Sequence, residues 1–224
     1  MDLKGKTINF LGDSITEGCG VTDIEANRYD NVIKRKCQLK KVNNYGIGGT
    51  RIAYQRHPSQ KARYDQDFCA RSYDMDKSAD IIIVYGGIND YLHGDAPIGR
   101  FGDKGRETFC GSVYYLMNNI CKLYPDAIHV FFTPAHCFCD DGFSLIEEKP
   151  EDREEHYLYE YTEIIKKTAP LFGFYVFDLS EELKIDPKNE VERNKYAPDG
   201  LHFNDDGHNM LADAVIRCLE SIKK

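Results

Sequence analysis

The chain has 224 residues, of which 42% are hydrophobic and 29% charged, and its formal net charge is −8. That length supports one fairly large domain with a proper core, and the composition is ordinary for a globular protein in water. The acidic balance argues against a general nucleic-acid binder, no stretch approaches the ~18 apolar residues of a membrane span, and MDLKGKTINFLGDS contains no apolar signal core, so a cytoplasmic location is expected.

In chain order, TINFL (7–11) reads as a strand and residues 23–40 as an amphipathic helix with Ile24, Val32, Ile33 and Leu39 facing inward. KVNNYG (41–46) is a second, more polar strand, and residues 59–72 suggest a short helix. DIIIVYG (80–86) is a continuous β-branched run suited to burial on both faces. Helical spacing of Phe109, Val113, Leu116, Met117, Ile120 and Leu123 predicts a helix over 106–123. AIHVFFT (127–133) is a fourth strand, 154–169 a helix, FYVFDL (174–179) a fifth strand, and 205–222 a last helix with Asn204 as its N-cap. No repeat, low-complexity tract or linker divides the chain, so one domain over 1–224 is expected. Strand–helix alternation implies a parallel sheet covered by helices on both faces. Right-handed crossovers then bring the C-terminal ends of all strands to one edge, outside which such sheets bind ligands.

The unusual residues fall just after strands. The first strand runs into Gly12-Asp13-Ser14, the second into Gly46-Ile47-Gly48-Gly49, and the third into Gly86-Gly87-Ile88-Asn89-Asp90. The loop before the last helix reads Pro198-Asp199-Gly200-Leu201-His202. Together they supply a hydroxyl, a base, a carboxylate and amide donors, the parts needed for acyl transfer. Singly, each has a plainer reading: Ser14 as a turn or cap residue, the glycines as tight turns, Asn89 as a helix cap, His202 as a surface histidine. Four such coincidences on one edge are improbable.

GDSIT, NYGIGG, GIND and DGLH, in this order and spacing from residue 8 to about 215, resemble the four blocks of the SGNH/GDSL hydrolases. The resemblance implies a flavodoxin-like three-layer α/β/α sandwich with a five-stranded parallel sheet, and a serine esterase that needs no cofactor and no metal. It implies Ser14 as nucleophile, His202 as the base and Asp199 as the group that orients it. The oxyanion hole would be the backbone N–H groups of Ser14 and Gly49 with the side-chain amide of Asn89. Gly48 and Gly49 are adjacent and either N–H could serve; the N-x-G-x-x-G alignment favours Gly49. Asp13 and Asp90 are expected to fix loops beside the site. Asp205 and His208 repeat the Asp-x-x-His pattern, but at a position that should already be helical, so His208 is expected to be structural. Arg51 stands where an aspartate is frequent in the family; it is open to a contact with an anionic or carbohydrate substrate, or to a plain surface role.

The loops 91–105 and 134–152 both follow strands and mix glycine, charge and aromatic residues. They are expected to shape a polar pocket suited to short-chain, acetyl-type esters of carbohydrates or other polar alcohols, a small-molecule partner. A lysophospholipase or thioesterase, a degenerate hydrolase that only binds ligand, and a non-catalytic flavodoxin-like binding module are the alternatives. Cys137-x-Cys139 beside His136 lacks the second ligand pair of a zinc site, and the eight cysteines are expected to be free, buried thiols. Activity should rise through the titration of His202 near ~6 to 7.

Overall fold

The computed structural model describes residues 1–137 and 156–223. Five strands, β1 (Thr7–Gly12), β2 (Lys41–Gly46), β3 (Ile81–Tyr85), β4 (Ile128–Phe132) and β5 (Tyr175–Phe177), form one all-parallel sheet in the order β2-β1-β3-β4-β5. This is the flavodoxin-like order, in which the winding reverses between β1 and β3. The register aligns the strand ends: Gly12 lies opposite both Gly46 and Tyr85, Tyr85 opposite Phe132, and Phe132 opposite Phe177. Whatever follows β1, β2 and β3 therefore emerges side by side at the reversal.

The alternation of side chains along a strand divides the core in two. Ile8, Phe10, Ile81, Ile83, Tyr85, Val130 and Phe132 point to one face, where they pack with Val32, Ile33, Leu211 and Val215 of the helices Tyr29–Cys37 and Asp205–Ser221. Leu11, Ile82, Val84 and Phe131 point to the other, against Val113, Leu116, Ile120 and Ile165 of Phe109–Leu123 and Leu158–Thr168. Every residue of β3 is buried, as its apolar run requires, whereas the polar β2 is a half-covered edge strand. Asn204 caps the last helix by accepting from Gly207 N–H at 3.0 Å.

Two helices expected from the sequence are divided. The stretch 23–40 breaks at Arg28, whose backbone is extended, into Ile24–Asn27 and Tyr29–Cys37, and it ends at Gln38 with φ +52°. Ile24 consequently faces solvent at 47% exposure, not the core. A polar network holds the break: Arg28 donates through Nε and Nη2 to the buried Asp30 at 2.6 and 3.0 Å, and Asn44 Nδ2 donates to Asp30 at 3.0 Å. The stretch 59–72 is a 3-10 turn, Ala62–Asp65, followed by a short helix, Phe68–Arg71, capped by Asp67. The expected helix 154–169 is Leu158–Thr168, its first residues lying outside the described ones.

Candidate active site

β1 ends at Gly12 and the chain enters a single helical turn, Ser14–Glu17, with Ser14 at its first position. Asp13 caps this turn, accepting from Ile15 N–H at 3.1 Å. Ser14 N–H, in the first turn, has no acceptor within the helix. Close packing holds the turn against β2, because a Cβ at Gly46 would overlap the backbone of Glu17.

The loop Ala197–His202 brings an imidazole to this serine from far along the chain. Gly200, at φ +82°, makes the bend, and Gly200 N–H donates to Ala197 O at 2.8 Å. The bend folds the chain back on Asp199, whose Oδ1 accepts from Leu201 N–H at 2.9 Å and His202 N–H at 2.7 Å. Its Oδ2 stands 2.7 Å from His202 Nδ1, and His202 Nε2 stands 2.9 Å from Ser14 Oγ. An ionised Asp199 can only accept, so Nδ1 carries the proton and Nε2 turns its lone pair to the hydroxyl. Burial tends to raise the Asp199 pKa, but its hydrogen bonds from His202 and the backbone outweigh this and lower it to about 2. For His202, burial works against the charged form, yet the bond and charge of Asp199, with a smaller contribution from Asp13, raise its pKa above the ordinary histidine value.

Gly48 and Gly49 are distinguished by their partners. Gly48 N–H is taken by Glu17 Oε2 at 2.7 Å. Gly49 N–H donates to no acceptor among the described residues. Gly49 adopts φ +76°, and a Cβ there would collide with the Tyr64 ring. Asn89 lies in the helix Ile88–His93, not at its cap, which is Gly87. Its Nδ2 donates to Thr50 O at 3.0 Å, and the residue lines the same cleft as Ser14, Gly49 and His202.

Asp13 and Asp90 are both buried and both hold backbone. Asp90 takes Ile52 N–H and Ala53 N–H, each at 2.9 Å. Burial pushes its pKa up to about 7, against the pull of those N–H groups and Arg51. Burial likewise raises Asp13 to about 6, opposed by Ile15 N–H, His202 and Arg71. His208 sits away from the cleft. It is buried beside Tyr29, accepts Tyr29 N–H at Nδ1 over 3.3 Å, and is driven by burial down to about 4.

Arg51 does not have the plain surface role: it is buried, although it lines the cleft. It is 3% exposed, and it donates to Ser59 Oγ, Tyr64 O and Asp65 Oδ1 at 2.7, 3.1 and 2.9 Å. It thereby ties down the segment 59–65, which forms a wall of the cleft through Ser59, Gln60, Arg63 and Tyr64. The sequence reading gave that wall to two later loops. Of 91–105, Leu92 and His93 reach the cleft; of 134–152, His136 and Cys137 line a different hollow, and 138–152 lies outside the described residues. The cleft is open, with a volume of about 990 Å³, and Leu92 and Leu201 are among the residues that line it.

Arg71 was not anticipated. It is buried beneath the site and donates to Gly12 O at 3.1 Å, Thr50 Oγ1 at 2.7 Å, Gln66 O at 2.8 Å and Tyr45 O. One guanidinium thus joins the ends of β1 and β2 to the loop behind Asn89. Desolvation lowers its pKa to about 10, opposed by Asp13 and Asp67. The described cysteines, Cys137 included, are free thiols, but Cys19, Cys37 and Cys121 are half-buried where buried thiols were expected; Cys139 lies outside the described residues. No group of three or more His, Cys, Asp or Glu side chains arranged to hold a metal ion occurs among the described residues. No described helix is long and apolar enough to cross a membrane.

The sequence profile of the GDSL-like lipase/acylhydrolase family matches residues 10–210. One solved structure, 26% identical, covers 100% of both chains with a TM-score of 0.84. A protein from Lactobacillus plantarum is 24% identical over 99% of both chains, with a TM-score of 0.80. A two-domain esterase active on acetylated mannans, co-crystallised with mannopentaose, is 19% identical with a TM-score of 0.63, the match covering 97% of this chain and 50% of that one. No curated protein matches.

Proposed function

Because the chain belongs to the GDSL-like lipase/acylhydrolase family and is an ester hydrolase, we propose that Ser14, His202 and Asp199 form its catalytic relay and that it cleaves short-chain, chiefly acetyl, esters of carbohydrates or other polar alcohols. One observation carries the reading: the Ser14 hydroxyl and the His202 imidazole, 188 positions apart in sequence, meet at 2.9 Å with Asp199 behind the ring.

A neutral serine is a weak nucleophile until a base takes its proton. As Ser14 Oγ bonds to the ester carbonyl carbon, His202 Nε2 accepts that proton and Asp199 stabilises the imidazolium. Negative charge moves to the carbonyl oxygen, where Ser14 N–H, Gly49 N–H and an Asn89 amide hydrogen are the donors at hand. Collapse of this intermediate breaks the bond to the alcohol, which leaves with the proton from His202. Water then attacks the acyl-serine by the same steps in reverse, releasing the acid and restoring Ser14.

The substrate class rests on the walls. Glu17, Arg63, Ser59 and Gln60 offer charges and hydrogen bonds, and Tyr64 offers an aromatic face, a mixture that suits a hydroxyl-rich alcohol. Leu92 and Leu201, also in the lining, offer an acyl group apolar surface, and no long apolar channel is built from the described lining residues. The activity of the mannan esterase on acetylated glycan is in keeping with this reading. The test is a rate series over acetyl, butyryl and octanoyl nitrophenyl esters, extended to acetylated oligosaccharides. Acetyl esters should be fastest, and S14A should lose both turnover and labelling by a fluorophosphonate. Fastest turnover of the octanoyl ester would replace the short-chain reading by a lysophospholipase or thioesterase one.

A further inference from the structure

We propose that His93, clamped by Arg51, is a positioning residue that locks the Asn89 amide with its N–H edge toward the cleft. The inference rests on the reading of Ser14 and Asn89 given above, and it adds two residues to the machinery.

The geometry decides the protons. Asn89 and His93 stand one turn apart on the helix Ile88–His93, hence on the same side of it. His93 Nε2 lies 3.2 Å from Asn89 Oδ1, and His93 Nδ1 lies 3.1 Å from Arg51 Nη1. A guanidinium only donates. His93 Nδ1 must therefore accept, Nε2 must carry the ring proton, and that proton goes to Asn89 Oδ1. At the other edge of the same amide, Thr50 O only accepts, which requires Nδ2 there. The two ends of the network agree on one orientation of Asn89, and this orientation leaves the second Nδ2 hydrogen for the cleft.

A reversed amide would put a carbonyl oxygen where charge develops in the transition state, so the lock matters to the chemistry as well as to the packing. The donors Arg51, His93 and Asn89 also run in one direction toward the cleft, and a chain of hydrogen bonds aligned in this way polarises its last N–H. Arg51 is unable to swing away, because Ser59, Tyr64 and Asp65 hold its other nitrogen, Nη2. The ring of Tyr64, 6.1 Å from that of His93 between centroids, packs beside it.

The test is a double-mutant cycle with nitrophenyl acetate, using wild type, H93F, N89A and the N89A/H93F double variant. H93F keeps the ring and removes its proton; kcat should fall about ten-fold, with KM within about two-fold. In the N89A background the same change should cost less than about two-fold, because there is no amide left to orient. H93Q, which can present an N–H to Asn89 Oδ1, should recover about a third or more of the wild-type kcat. An unchanged kcat in H93F, or an equal loss with and without Asn89, overturns the inference and leaves the Ser14 reading intact. Failure of fluorophosphonate to label Ser14 in the wild type overturns both.

Discussion

Asp199 offers the sharpest test of the relay, because the structure predicts that its nearest isostere is a worse replacement than a truncation. Oδ1 is fixed by two backbone donors, Leu201 N–H and His202 N–H. In D199N the amide oxygen must occupy that place, since an NH2 group there would face two N–H groups. The amide nitrogen then faces His202 Nδ1, where Oδ2 now accepts at 2.7 Å. His202 can bond to it only by moving its proton to Nε2, which then donates to Ser14 Oγ and is unable to take a proton from it. The base is present but in the wrong tautomer, a fault associated with losses of ~10⁴-fold in serine hydrolases. At about 1.36 kcal/mol per decade, a loss of ~10³- to 10⁴-fold removes about 4 to 5.5 kcal/mol of transition-state stabilisation. D199A imposes no tautomer, and because the Asp199 side chain is about half exposed, water can enter its place. D199A should therefore keep more activity than D199N. The assay is steady-state hydrolysis of nitrophenyl acetate together with the rate of fluorophosphonate labelling. A D199N loss smaller than about ten-fold, or D199N more active than D199A, refutes the argument.

The acid limb of kcat/KM should lie above the ordinary histidine value of ~6.5, because the base acts when neutral and the fold raises the His202 pKa; this moves it to the upper end of, or beyond, the ~6 to 7 expected from sequence. Activity rises as pH climbs through that pKa, and D199A should move the limb toward lower pH, as a pH–rate profile would show. H202A should abolish turnover while H208A keeps most of it at a cost of about 2 kcal/mol or more in stability, measured by urea unfolding; the opposite pattern of activities would reverse the assignment of the base. R71M should lower stability by about 3 kcal/mol or more, since it strands buried carbonyl groups at the ends of β1 and β2, and a shift in the urea midpoint worth less than about 1 kcal/mol would contradict that role.

The parts of the fold that were legible are those where one local pattern suffices. An unbroken β-branched run such as 81–84 has nowhere to go but the middle of a sheet, and the spacing over Phe109–Leu123 has a single helical reading. The break at Arg28 was not legible, because its cause is the buried Asp30, which meets Asn44 of another element. At the site, the serine, imidazole and carboxylate proposed for catalysis could be picked out from short loops because the residue types themselves carry the chemistry. Arg51, Arg71 and His93 were missed or misplaced for the opposite reason. Charged residues normally read as surface, and only tertiary structure shows that these guanidinium groups are enclosed by carbonyls and by a ring nitrogen. The one available signal for His93 was its spacing of four from Asn89 on a helical segment. Choosing between Gly48 and Gly49 likewise required the position of the Glu17 carboxylate.

The separation of Ser14 from His202 has a consequence for the chain as it is made. A ribosome delivers the hydroxyl early and its imidazole 188 residues later. With synthesis at ~5 to 20 residues per second, the growing polypeptide spends on the order of ten seconds or more without the proposed base for Ser14. On the proposed roles of Ser14 and His202, hydrolytic competence reports that the stretch around 199–202 has emerged and docked, which makes the appearance of turnover a clock for that docking.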